Sequence, residues 1–179
     1  GDLFAQGPVI SDEARAIHAN GLLFDGHNDL PWQLRKLAGG SFDALDIAIP
    51  QPKLHTDIPR LRAGGLKAQF WSVYVPAETA QAGDALLKTL EQIEIVHAML
   101  KRYPDVFEQA RTADDVVRIA EAGRIASMLG VEGGYAIEGS LPILKKFHDL
   151  GVRYMTLTHT KTIPWADSAT DEPKHGGLT

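Results

Sequence analysis

Short apolar runs alternate along this chain with longer stretches in which apolar residues recur every three or four positions, and Gly or Pro separates them. Residues 21–27, with Leu22, Leu23 and Phe24 side by side, predict a first strand. A short helix begun by Ser11 and Asp12 precedes it. Residues 66–75 predict a second strand, because Phe70, Trp71, Val73, Tyr74 and Val75 are the aromatic and β-branched types that suit a pleated surface. Over residues 83–102, Leu86, Leu90, Ile93, Val96 and Leu100 lie on one helical face, and Pro104 ends that helix. A second long helix is expected over 113–122, with Thr112 and Asp115 as a capping pair and Gly123 as its left-handed stop. Residues 124–132 read as a third strand. A helix over 141–150 follows, capped by Ser140 and closed by Gly151, and residues 152–159 alternate as a fourth strand.

Strand and helix thus take turns without a repeat, a low-complexity tract or a linker, so one α/β domain over residues 1–179 is expected, with a parallel sheet and crossover helices. Composition narrows the function classes. Apolar residues make up 44% of the chain, enough for a buried core, and no apolar run approaches the ~18 residues of a membrane span. The 18 Lys and Arg against 23 Asp and Glu leave a net charge of −5 with no basic stripe, which argues against a nucleic-acid partner. There is no Cys, so a metal would have to be held by His and carboxylates.

Catalytic groups of α/β proteins gather at the carboxyl ends of parallel strands. Three predicted strand ends carry metal-capable side chains: His27 and Asp29 after the first, Glu132 after the third, His159 after the fourth. In extended backbone, positions i and i+2 project to one side, so His27 and Asp29 can share a cation. Each residue has a simpler local reading: an Asx-type turn for His27 and Asp29, an exposed loop carboxylate for Glu132, a hydrogen-bonded core histidine for His159. The three together, at equivalent strand ends, favour a site. His18, His55, His97, His148 and His175 lie in helices or polar loops and are given no ligand role. Trp32 and Trp165, each near a Pro and a candidate ligand, are read as an aromatic wall at the mouth or as rim anchors.

The chain resembles the membrane (renal) dipeptidases, peptidase family M19. The likeness runs through the blocks DGHNDLPW at 25–32, DIPRLRAGG at 57–65, QFWSVY at 69–74, GVEGG at 130–134, RYMTLTH at 153–159 and PWAD at 164–167. That resemblance implies a (β/α)8 TIM barrel of the metal-dependent hydrolase type, with two Zn2+ ions per complete site. It implies His27 and Asp29 on one zinc, Glu132 bridging both, and His159 contacting a dipeptide substrate and the tetrahedral intermediate. Such a cation pair activates a shared water and polarises the amide carbonyl, which would account for a site without a Ser or Cys nucleophile. Homodimers are common among the proteins it resembles, and a homodimer is expected of the complete protein.

A complete barrel usually needs about 250 residues, and four strands are half of one. The remaining zinc ligands are expected from a second half, present either in a longer native chain or in a second chain. Activity is expected only when it is present. The alternatives are another metal-dependent amidohydrolase of the same barrel type and a non-catalytic truncated fragment.

Overall fold

Strand β4 (Ile125–Val131) is buried along its whole length, and the rest of the sheet is arranged around it. Its sequence, IASMLGV, carries no charge and no polar–apolar alternation, as befits a strand covered on both faces. Along one edge of β4 lies β2 (Ala68–Ser72), which pairs in turn with β1 (Phe24–Asn28). Two short strands share the other edge, β3 (Phe107–Gln109) beside its first half and β5 (Val152–Met155) beside its second. All four pairings are parallel. The computed structural model describes residues 9–179.

Seven α-helices connect and cover these strands among the described residues: α1 (Asp12–Asn20), α2 (Leu30–Ala38), α3 (Ile58–Ala63), α4 (Glu78–Ala82), α5 (Ala85–Arg102), α6 (Ala113–Glu121) and α7 (Leu141–Leu150). Their ends follow local chemistry. The Ser11 side chain accepts the Ala14 N–H at the start of α1, and Thr112 and Asp115 form the expected capping box on α6. Gly151, in the left-handed region, closes α7. Ser140 makes no side-chain cap bond there, contrary to expectation; its backbone carbonyl accepts from Ile143 and Leu144.

The core has two faces. Trp71, Leu129 and Val131 pack with Leu34 of α2, Ile93 and Val96 of α5 and Phe147 of α7. On the opposite face Ala68, Ala126 and Met128 meet Val116 and Ile119 of α6, with Phe70 against them. The fold is α/β with a wholly parallel sheet, as the alternation of elements predicted, and it matches the first part of a (β/α)8 barrel.

Two strand expectations and one link need correction. The sheet has five strands rather than the four expected, because Phe107–Gln109 is too short for an alternation to show. The strand expected over 152–159 stops at Met155; beyond it Thr156 still donates to the Val131 carbonyl, but residues 156–159 leave the sheet. The link between the first two strands holds α2 and α3, which the reading along the chain did not assign.

Candidate metal centre

The pairing of β1 with β2 is irregular between Asp25 and Asn28. A bulge of this kind breaks the two-residue alternation and re-aims side chains. Its effect is visible in what the side chains touch. The Phe24 ring packs on Phe70, Phe70 packs on Tyr154, and the Tyr154 hydroxyl reaches Nδ1 of His27 at 3.1 Å. Phe24 and His27, three positions apart, therefore share one face of the sheet.

Asp29 lies just past the strand, at φ −89° and ψ 19°, as the residue that begins α2, and its side chain meets that of His27 as the two-residue spacing suggests. Its Oδ1 stands 3.2 Å from His27 Nε2. The Asn28 side chain secures the start of α2, accepting the Leu30 N–H at 3.0 Å and donating to Thr56 Oγ1 at 3.0 Å.

Glu132 follows β4 directly, and its two carboxylate oxygens look in different directions. Oε2 is 3.5 Å from His27 Nε2 and accepts the Ser72 hydroxyl at 3.2 Å; Oε1 is 3.4 Å from His159 Nε2. The next residue, Gly133, has φ +102° and lies so close to the Tyr135 ring that a Cβ there would collide with it, so the sharp exit from β4 requires glycine. Thr156 Oγ1 accepts the Gly133 N–H at 2.7 Å, which ties this exit to the chain leaving β5.

His159 sits four residues beyond β5 and is held from behind by Ser168, whose hydroxyl donates to the His159 carbonyl at 2.6 Å. Its Nδ1 is buried and has no hydrogen-bond partner among the described residues. The Tyr74 ring stands edge-on to the imidazole at 5.3 Å, and Trp32 stands edge-on to Tyr74 at 5.3 Å. Of the two readings, Trp32 fits that of an aromatic wall, through Tyr74. Trp165 instead packs into the protein against the loop after β4, as a rim anchor does.

One donor atom each from His27, Asp29 and Glu132 lie within 4.8 Å of one another. Among the described residues no Lys or Arg forms an ion pair with either carboxylate; only histidines do. Two carboxylates and an imidazole nitrogen converging without a basic side chain suit a divalent cation, which would relieve their repulsion and use the same lone pairs. The Tyr74 and Tyr154 phenols feel this field: burial, reinforced by the charge of Glu132 and Asp29, pushes both above the usual tyrosine range, so they stay protonated.

The other histidines divide as expected, with one addition. His18, His97 and His175 each donate Nε2 to a backbone carbonyl, of Gly64, Leu150 and Ile163 respectively, which is structural work. His148 is exposed beside Asp149. His55, read as an ordinary loop residue, lines a cavity of about 280 Å³ together with His27, Asn28, Asp29 and Thr56. Ser72 and Tyr154 were also missed as members of the site, although both lie inside sequence blocks that carry the family resemblance.

Donor groups gathered where parallel strands end is the arrangement in which α/β proteins build their sites. Comparison with known proteins gives the lineage: the family described as membrane dipeptidase (peptidase family M19) matches residues 11–179, and the chain belongs to that family. It is 45% identical over 173 residues to dipeptidase ataJ of Aspergillus terreus, covering 88% of this chain and 41% of that protein. Mouse (Mus musculus) dipeptidase 3 is 39% identical over 168 residues, covering 94% of this chain and 33% of that one.

Among solved structures, dipeptidase AC, a metallo peptidase of family M19, is 26% identical with a TM-score of 0.66, over 82% of this chain and 45% of that one. The probable dipeptidase PvdM of Pseudomonas aeruginosa superposes with a TM-score of 0.80 at 21% identity, over 93% and 44%. The chain therefore spans less than half the length of these relatives.

Proposed function

We propose that this chain supplies the first half of the active centre of a zinc-dependent dipeptidase, with His27 and Asp29 on one cation and Glu132 on two. The observation that carries the reading is the meeting of His27, Asp29 and Glu132, with donor atoms within 4.8 Å, at the ends of two strands far apart in sequence. Relatives named dipeptidases at 39–45% identity support the substrate class. Bound divalent cations would supply a water of lowered pKa and polarise the scissile amide.

The chain's own residues do the rest. Glu132 is held on one oxygen by Ser72 and directs the other toward His159. His159 Nε2 is the atom placed to donate to the oxygen of a substrate carbonyl as negative charge develops there, a role in which a fixed donor matters most. Tyr74, itself backed by Trp32, packs edge-on against the His159 ring and flanks that donor on one side. In this reading the remaining zinc ligands come from outside residues 1–179, catalysis requires them, and the complete protein works as a homodimer.

The test is release of free amino acids from a panel of dipeptides by the full-length gene product with zinc, alongside the variant His159→Ala. Dipeptide turnover, with kcat reduced in the variant and zinc binding retained, is the expected result. Inert dipeptides with turnover of other amides would assign the site to a different amidohydrolase activity, and absence of any turnover would make the domain non-catalytic.

A further inference from the structure

We propose that Tyr154 is a positioning residue that commits His27 to bind a cation through Nε2. The inference rests on the reading of His27 as a metal ligand. The Tyr154 hydroxyl oxygen lies 3.1 Å from His27 Nδ1 and 3.4 Å from the Gly26 carbonyl oxygen. A carbonyl only accepts; with the phenolic proton turned toward Gly26, the arrangement proposed here, the phenol oxygen accepts from a protonated Nδ1. An imidazole whose Nδ1 keeps its proton can offer only Nε2 as a lone pair. Nε2 is the nitrogen that faces Asp29 Oδ1 at 3.2 Å and Glu132 Oε2 at 3.5 Å. The hydroxyl therefore selects both the ring orientation and the coordinating atom, as outer partners of metal-bound histidines commonly do.

Three features of the fold exist to put the hydroxyl there. Gly130 pairs with Tyr154 across β4 and β5, and a Cβ on Gly130 would fall inside the phenol ring, so the ring can cross β4 only over a glycine. The pairing is irregular between Leu129 and Gly130, which displaces Tyr154 relative to a regular ladder. Phe70 then supports the ring edge-on at 4.8 Å. The backbone of His27 has a separate anchor as well, its N–H donating to Asp25 Oδ1 at 3.1 Å.

Tyr154→Phe keeps the ring on Gly130 and removes only the oxygen. In the full-length gene product, zinc affinity measured by competition with a chromophoric chelator should fall about 10–100-fold, with the unfolding midpoint of the metal-free protein little changed. In the zinc-loaded protein, 1H–15N spectra should show a slowly exchanging His27 Nδ1–H that disappears in the variant. Gly130→Ala, which retains the hydroxyl but expels the ring, should lower zinc affinity in the same range. A wild-type protein that binds zinc while Tyr154→Phe binds it equally well, or one in which His27 coordinates through Nδ1, overturns the role of Tyr154 and leaves the metal site standing. A wild-type protein that binds no zinc overturns both.

Discussion

Glu132 Oε2 and His27 Nε2 are 3.5 Å apart, although one residue directly follows β4 and the other lies at the end of β1, next to its last residue. β2 lies between those strands, and its last residue, Ser72, fills the gap by donating to the same Glu132 oxygen. The site is thus a property of the sheet's rim and exists only when β1, β2 and β4 are in register.

Replacing Glu132 with Gln keeps the shape of the side chain and removes its charge. Loss of an outer partner of a metal ligand already costs about 10–100-fold, so loss of a ligand shared between two cations should cost more than ~100-fold in zinc affinity. Calorimetric titration of the full-length variant, with circular dichroism to verify the fold, measures this. Unchanged affinity would remove Glu132 from the ligand set.

Metal should also stabilise the fold. Asp29 and Glu132 repel each other across a site without a basic neighbour, and a ligand that binds only the native state adds about 2.7 kcal/mol at a hundredfold excess over its Kd. Thermal unfolding with added zinc should therefore occur at higher temperature than in chelator, and Asp29→Asn with Glu132→Gln should abolish the difference.

Asp57 should contribute to acid lability. Its buried carboxylate receives the Arg60 guanidinium first, then backbone N–H groups of Gln51 and Arg60, and these hold its pKa down at about 2. A carboxyl with a folded pKa below its unfolded value of about 3.9 contributes stability that is complete above pH ~4 and fades as pH falls toward 2. Asp57→Asn should lower stability at pH 7 by about 2 kcal/mol, through a weakened helix cap and partners left unpaired, and should flatten that acid limb. Urea unfolding across pH 2–7 reads both effects.

The exit from β4 should tolerate no side chain. Gly133→Ala meets a positive φ and the Tyr135 ring together, and a cost of about 2–3 kcal/mol is expected. Tyr135→Phe is milder, about 1–2 kcal/mol, because it leaves the Val75 carbonyl without its donor. Denaturant unfolding of the two variants should rank them in that order; equal stabilities would mean the turn relaxes.

Much of this architecture was legible along the chain because its signals are local. The Thr112–Asp115 box, Gly151, and the three- and four-residue steps of α5 depend on neighbours within one or two turns. β3 escaped because three residues cannot display a period, and α3 because six residues, Ile58–Ala63, carry little of one. His27, Asp29, Glu132 and His159 could be singled out as candidates, since polar metal-capable residues stood where apolar strands ended. His27 and Asp29 meet as their spacing suggests, with Asp29 lying just past the strand as the residue that begins α2.

What the chain determined by itself is which segments become strand or helix and which residues have the chemistry to bind a cation, because propensity, capping and ligand type belong to single residues and their near neighbours. Tertiary structure alone decided which atoms meet. Ser72 on Glu132, Tyr154 on His27 and the placing of His159 Nε2 all depend on register between strands and on a ring passing over Gly130. Register is set by packing of the whole sheet, so distances across it are not written in any one segment.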